Sequence, residues 1–105
     1  MTEVHQVLVG AGQTDAITNM ARSLQTSLRP LGPSEIFAQH IAPDVADIQH
    51  LSSFPKNPSR DRIVIFHASG GDPEVFKFLQ NISGPLVLIF HNIAPPELFE
   101  NFAPD

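Results

Sequence analysis

Apolar positions along the chain switch between two rhythms. Val4-His5-Gln6-Val7-Leu8-Val9 is rich in β-branched residues and closes on Gly10-Ala11-Gly12, which predicts a first strand. From Thr14 the spacing becomes helical. Ile17, Met20, Ala21, Leu24 and Leu28 form one stripe, and all five are expected to pack into the core. Thr14 or Asp15 caps that helix, Arg29 suits its last turn, and Pro30 and Gly32 stop it. Ile36-Phe37-Ala38 predicts a short second strand. Over 42–62 the pattern thins. Val45, Ile48 and Leu51 suggest a small helix opened by Pro43-Asp44, and Phe54 to Asp61 reads as a Pro-rich polar loop. Lys56, Arg60 and Arg62 are expected to be solvated there. Ile63-Val64-Ile65-Phe66 is an uninterrupted apolar strand. Asp72-Pro73-Glu74 then supplies a cap, a proline in the first turn and an acidic residue, the marks of a helix start. Val75, Phe78, Leu79 and Ile82 are its inner stripe, and Gly84-Pro85 ends it. Leu86 to Phe90 is the fourth strand, and Pro95-Pro96-Glu97 opens a short last helix running out near Phe99.

Strands alternating with amphipathic helices build right-handed βαβ units and a parallel sheet. The expected fold is a three-layer αβα sandwich, Rossmann-like, with strand order 2-1-3-4. The 105 residues suffice for one domain, taken as 1–105. Strands apolar at every position are normally covered on both faces. Leu86 to Phe90 falls at the sheet edge, where a long apolar strand invites pairing. The expectation is that this is part of a larger protein, or that another chain covers the edge, including self-association through Leu86–Phe90.

Composition removes several function classes. Eleven Asp and Glu against six Lys and Arg give a net charge of -5, and no basic face for nucleic acid can be assembled. The absence of cysteine excludes disulfides, thiolate metal sites and a thiol nucleophile. The apolar runs are too short for a transmembrane segment, and no signal pattern follows the first residues, so a cytoplasmic location is expected.

In an open parallel sheet, ligands bind outside the carboxyl ends of the strands. Three loops qualify: 10–15, 67–72 and 91–96. Gly10-x-Gly12 matches the start of a dinucleotide fingerprint, but its third position is Asp15, whose charge repels a pyrophosphate at a helix start. No acidic residue closes strand two, where Gln39-His40 stand. Asp15 is a helix cap, an acceptor for a ligand hydroxyl, or both, and Asn19 lies one turn further on. His67 and His91 each follow an apolar strand. Adjacent strands lie about 5 Å apart, so the two rings can face one cleft, as structural hydrogen-bond partners or as a general base. No third ligand is spaced to make them a metal site, and none is expected. Ser69 lacks a nucleophile elbow, and no Walker lysine follows either glycine loop.

Read together, Val4-His5-Gln6-Val7, Thr14-Asp15-Ala16-Ile17-Thr18-Asn19, Glu35-Ile36-Phe37-Ala38, Ile65-Phe66-His67-Ala68-Ser69-Gly70-Gly71-Asp72-Pro73 and His91-Asn92-Ile93-Ala94-Pro95-Pro96-Glu97-Leu98-Phe99 resemble the amino-terminal domain of family 4 glycosyltransferases with the GT-B fold. The resemblance spans nearly the whole chain, and the H-N-I-x-P-P-E-x-F run is its most specific part. It implies an acceptor-side fragment of a retaining glycosyltransferase that moves a sugar from a nucleotide sugar to a hydroxyl acceptor. The carboxy-terminal donor-binding domain lies off this chain, so the fragment alone is expected to be inactive. The nucleotide sugar is a substrate, and no cofactor is implied. Carried over by position, Gly10 and Gly12 match the loop near the donor phosphates, His91 matches the catalytic cleft histidine, and Asp15, Asn19, His67, Ser69 and Asn92 match the acceptor side. The sequence departs from the family where Thr14 replaces the usual glycine before the Asp, and where Ser69-Gly70-Gly71-Asp72-Pro73 replaces the usual Ser-Ile-Gly-Ser-Pro. The other reading of the chain is a free-standing flavodoxin-like binding module that performs no catalysis. A receiver-type version fails, because Gly10-Ala11-Gly12 and His67 stand where acidic residues would be needed.

Overall fold

The computed structural model describes residues 2–91; Met1, Asn92 and the helix expected from Pro95 lie outside the described residues. Five parallel strands, β1 (Glu3–Ala11), β2 (Ile36–Ile41), β3 (Gln49–His50), β4 (Arg62–Ala68) and β5 (Leu86–Phe90), lie in the order β3-β2-β1-β4-β5. Helix α1 (Ala16–Leu28) links β1 to β2, and α2 (Pro73–Gln80) links β4 to β5.

Crossover handedness explains the layers. The chain steps from β1 to β2 in one direction and from β4 to β5 in the other. Right-handed crossovers in opposite directions put their helices on opposite faces. Accordingly, Leu8, Ile36 and Ala38 pack with Ile17 and Ala21 of α1 on one face. On the other, Val7, Phe37, Val64 and Phe66 pack with Val75 of α2. The side chains of each strand alternate between these two cores.

Four local expectations are corrected. Among the described residues the sheet has five strands, not four: Gln49 and His50 pair with Phe37 and Ala38, outside β2. No α-helix spans Val45, Ile48 and Leu51, although all three are buried; a single 3-10 turn forms at Leu51–Ser53. Val45 and Ile48 pack in the α1 core, whereas Leu51 packs in the α2 core. Their three-residue spacing comes from a chain that turns round the sheet edge at β3. Met20 is half-exposed. The inner face of α1 runs instead through Ile17, Thr18, Ala21 and Gln25, because the polar pair finds partners: Gln25 donates to the Ser34 carbonyl, and Thr18 bonds into the cap at Asp15. Arg62 is buried, not solvated; it donates to the Asn57 carbonyl and to Glu3 Oε1, and so ties the 54–61 loop to the amino end of the sheet.

β4 is buried as its composition requires, but β5 is not. Leu86, Val87, Leu88 and Phe90 are exposed at the edge of the described sheet, Phe90 by 77%.

Candidate functional site

β1 lies between β2 and β4, so the connections leaving β1 and β4 depart to opposite faces. The carboxyl ends of strands at such a divergence are the usual ligand position in open α/β sheets.

The β1 side of the rim is the turn into α1. Asp15 is the cap: its Oδ2 accepts from Thr18 N at 2.9 Å and from Thr18 Oγ1 at 2.8 Å. Thr18 Oγ1 in turn accepts from Gly12 N at 3.2 Å. The Gly12 amide is therefore engaged inside the turn, and one Asp15 oxygen is committed to the helix. Asn19 is exposed and accepts from Arg22, whose guanidinium also grips Asp47 and Gln13. Gly10 approaches the His40 carbonyl, where an added Cβ would meet ordinary van der Waals contact.

Facing it, β4 and β5 bring two imidazoles together. His67 is in register with Ile89, so His91, two residues on, points to the same face. Backbone pairing continues that far, with His91 N donating to the Ala68 carbonyl at 3.1 Å. His67 Nδ1 and His91 Nε2 are 2.9 Å apart, with the ring planes inclined by 21°. His67 is fully buried, and its other nitrogen, Nε2, lies 2.7 Å from Gln6 Oε1 on β1. Gln6, equally buried, donates from Nε2 to the Ala21 carbonyl of α1 at 2.8 Å. Burial, with the neighbouring His91 adding to it, pushes the His67 pKa down to about 4. Ser69 follows on the exposed bend after β4.

The expected site residues thus divide. Gly10, Gly12, Asp15, His67, Ser69 and His91 all fall on the carboxyl rim, with His67 and His91 in direct contact. Asn19 is on α1 and committed to the Arg22 cluster, and Asn92 lies outside the described residues. The sequence reading missed Gln6 and His40. Gln6 carried a signal, an amide next to the apolar run Val7-Leu8-Val9. His40 carried none, since its partner is remote: its Nε2 donates to Asp72 Oδ2 at 2.8 Å.

Among the described residues, no group of three His, Asp or Glu is placed to hold a metal. No helix there is long and apolar enough to cross a membrane. A cleft of about 550 Å³ lies elsewhere, between the 51–59 segment and α2 over Phe54 and Phe78. Its buried cation, Arg62, is already engaged, and Lys56, Glu74 and Lys77 are exposed around it. The paired buried histidine and its place at the strand carboxyl ends favour the rim as the chemical site.

These features define a class, a parallel three-layer α/β domain with a histidine pair at its strand-end rim. Comparison with protein-family models, with curated proteins and with solved structures gives no match.

Proposed function

We propose that this domain is the acceptor-side wall of a sugar-transfer cleft, belonging to a retaining glycosyltransferase of the GT-B type. The observation that carries the reading is the His67–His91 contact at the carboxyl ends of β4 and β5, at the same end of the sheet as the Gly10–Asp15 turn. It is supported by the polar character of that rim: the Asp15 carboxylate, the Ser69 hydroxyl and the imidazoles suit the hydroxyl groups of a polyol. His91 is the group nearest the reacting sugar in this reading. Asp15, with one oxygen held by Thr18, and Ser69 line the acceptor side, while Gly10 and Gly12 shape the turn near the donor phosphates. Transfer develops charge on both the sugar ring and the leaving diphosphate, and stabilising it takes both walls of a cleft. The 105-residue chain therefore binds sugar weakly and transfers nothing.

Two measurements test this. Amide spectra of the chain should shift at residues 10–19, 67–70 and 91 when simple hexoses or disaccharides are added, and stay unchanged with sugar nucleotides. A rim unmoved by every sugar, or shifts confined to the cleft over Phe54, would overturn it. The coding sequence should also continue in frame into a second Rossmann-like domain with a Glu-x7-Glu pattern; a stop codon after Asp105 would remove the second wall.

A second reading rests on β5. Its exposed apolar residues suit a free-standing module that binds a second copy of itself edge to edge. Sedimentation that gives a monomer at high concentration counts against it.

A further inference from the structure

We infer that Gln6 and His67 are positioning residues: through a directed row of hydrogen bonds they hold neutral His91 as its Nε2–H tautomer, so that its Nδ1 lone pair is left to accept from a ligand hydroxyl.

The direction of the row starts at α1. The Ala21 carbonyl can only accept, so the Gln6 side chain must turn its NH₂ toward it. That turns Oε1 toward His67, and an amide oxygen can only accept as well. His67 Nε2 therefore carries the hydrogen. A neutral imidazole has one N–H, so His67 Nδ1 is a bare acceptor. Its partner 2.9 Å away, His91 Nε2, must then donate. Only Nδ1 of His91 remains without a hydrogen, and among the described residues nothing bonds to it.

Each alternative leaves two like groups facing each other where water does not reach. Flipping Gln6 sets its oxygen against the Ala21 carbonyl. Moving the His67 hydrogen to Nδ1 sets a nitrogen lone pair against Gln6 Oε1. A buried polar group left unpaired in this way is costly enough to hold the row in one direction. The second condition, a neutral His67, is met by its burial: the ring titrates only near pH 4. The row crosses three elements, α1, β1 and β4, before it reaches the end of β5, so the helix that opens beside Asp15 also sets the state of the far histidine.

An acceptor at this point selects ligands that bring a hydroxyl hydrogen. If His91 takes up a proton, the proton enters at Nδ1, and the Nε2–H bond to His67 stays unchanged. The assignment of the hydroxyl to a sugar rests on the proposed cleft; the tautomers do not.

Long-range proton–nitrogen correlation of the histidine rings in the 105-residue chain, above neutral pH, reads each tautomer directly. His67 and His91 should both show the Nε2–H pattern. His5 is an internal control with its own lock, since its Nδ1 accepts from Glu35 N and its Nε2 faces Glu3. A Nδ1–H pattern, or an exchange average, at His67 or His91 in the unmutated chain overturns the inference. In Gln6→Met, His67 and His91 should lose the single-tautomer pattern while His5 keeps it; retention of that pattern would show that Gln6 does not set it. Should this variant fail to fold, the unmutated spectrum still decides. Correct tautomers without sugar-induced shifts would sink the cleft reading and leave the row standing; wrong tautomers with those shifts would do the reverse.

Discussion

His40 Nε2 and Asp72 Oδ2 meet at 2.8 Å, tying the end of β2 to the start of α2 across the end of the central strand β1. The same carboxylate caps α2, with Oδ1 accepting from the amides of Glu74 and Val75. The bond to His40, more than the cap, holds the Asp72 carboxyl below the ordinary aspartate range. Two jobs in one side chain predict an asymmetry. Asp72→Ala should lower the thermal midpoint clearly more than His40→Ala, which leaves the cap intact. Equal losses, followed by circular dichroism, would mean that the cap contributes nothing.

Stability should fall as the solution is acidified well above carboxylate values. An unfolded histidine takes up its proton near pH 6.5, whereas folded His67 does so only near pH 4. Between those values the unfolded chain binds more protons, so unfolding becomes easier as pH drops, by on the order of 3 kcal/mol in all. The effect is absent above pH 6.5 and complete below about 4. Glu3 acts in the same direction but lower: His5, with help from Arg62, holds its carboxyl below 4.5, so its contribution is lost only in stronger acid. Urea unfolding across this range should show the decline, and His67→Asn should flatten it.

Asp15→Ala removes both acceptor contacts to Thr18 and should cost about 1 kcal/mol of stability, whereas Asp15→Asn should cost less. The pair separates structure from binding. If Asp15 only caps, Asp15→Asn keeps the sugar-induced amide shifts; if its free oxygen also receives a ligand hydroxyl, those shifts weaken in both variants.

Gly84 packs directly against the backbone where β4 begins. A Cβ added there would overlap the Arg62 carbonyl oxygen, and the neighbouring Pro85 carbonyl accepts from Val64 N at 3.0 Å. Neither backbone group can swing aside, so Gly84→Ala should destabilise the chain by about 2 kcal/mol or more in denaturant titration. Gly70, with open space around it, should accept alanine with little change.

Much of the layout was open to inspection in the sequence. The strands around Val7, Phe37, Phe66 and Leu88 and the two helix starts at Asp15 and Asp72 are local events. They follow from alternation, helical spacing and a side-chain oxygen beside free amides, and each needs only a few neighbouring residues. The placement of His67 and His91 on one rim follows too, because each directly follows a run of apolar strand residues.

What the chain alone withheld are the side-chain contacts that cross it. Val45, Ile48 and Leu51 carry helical spacing, yet serve opposite faces of the sheet. Arg62 looked solvated until Glu3, 59 residues away, came beside it. Gln6 and His67, 61 residues apart, are bonded only because β1 and β4 are neighbours with Gln6 opposite Ile65. Spacing and caps report what a segment does with its own backbone. Which strand lies next to which, in what register and under which helix, is set by crossover direction and by the burial of both faces together. The hydrogen positions of the histidine pair depend on that arrangement alone.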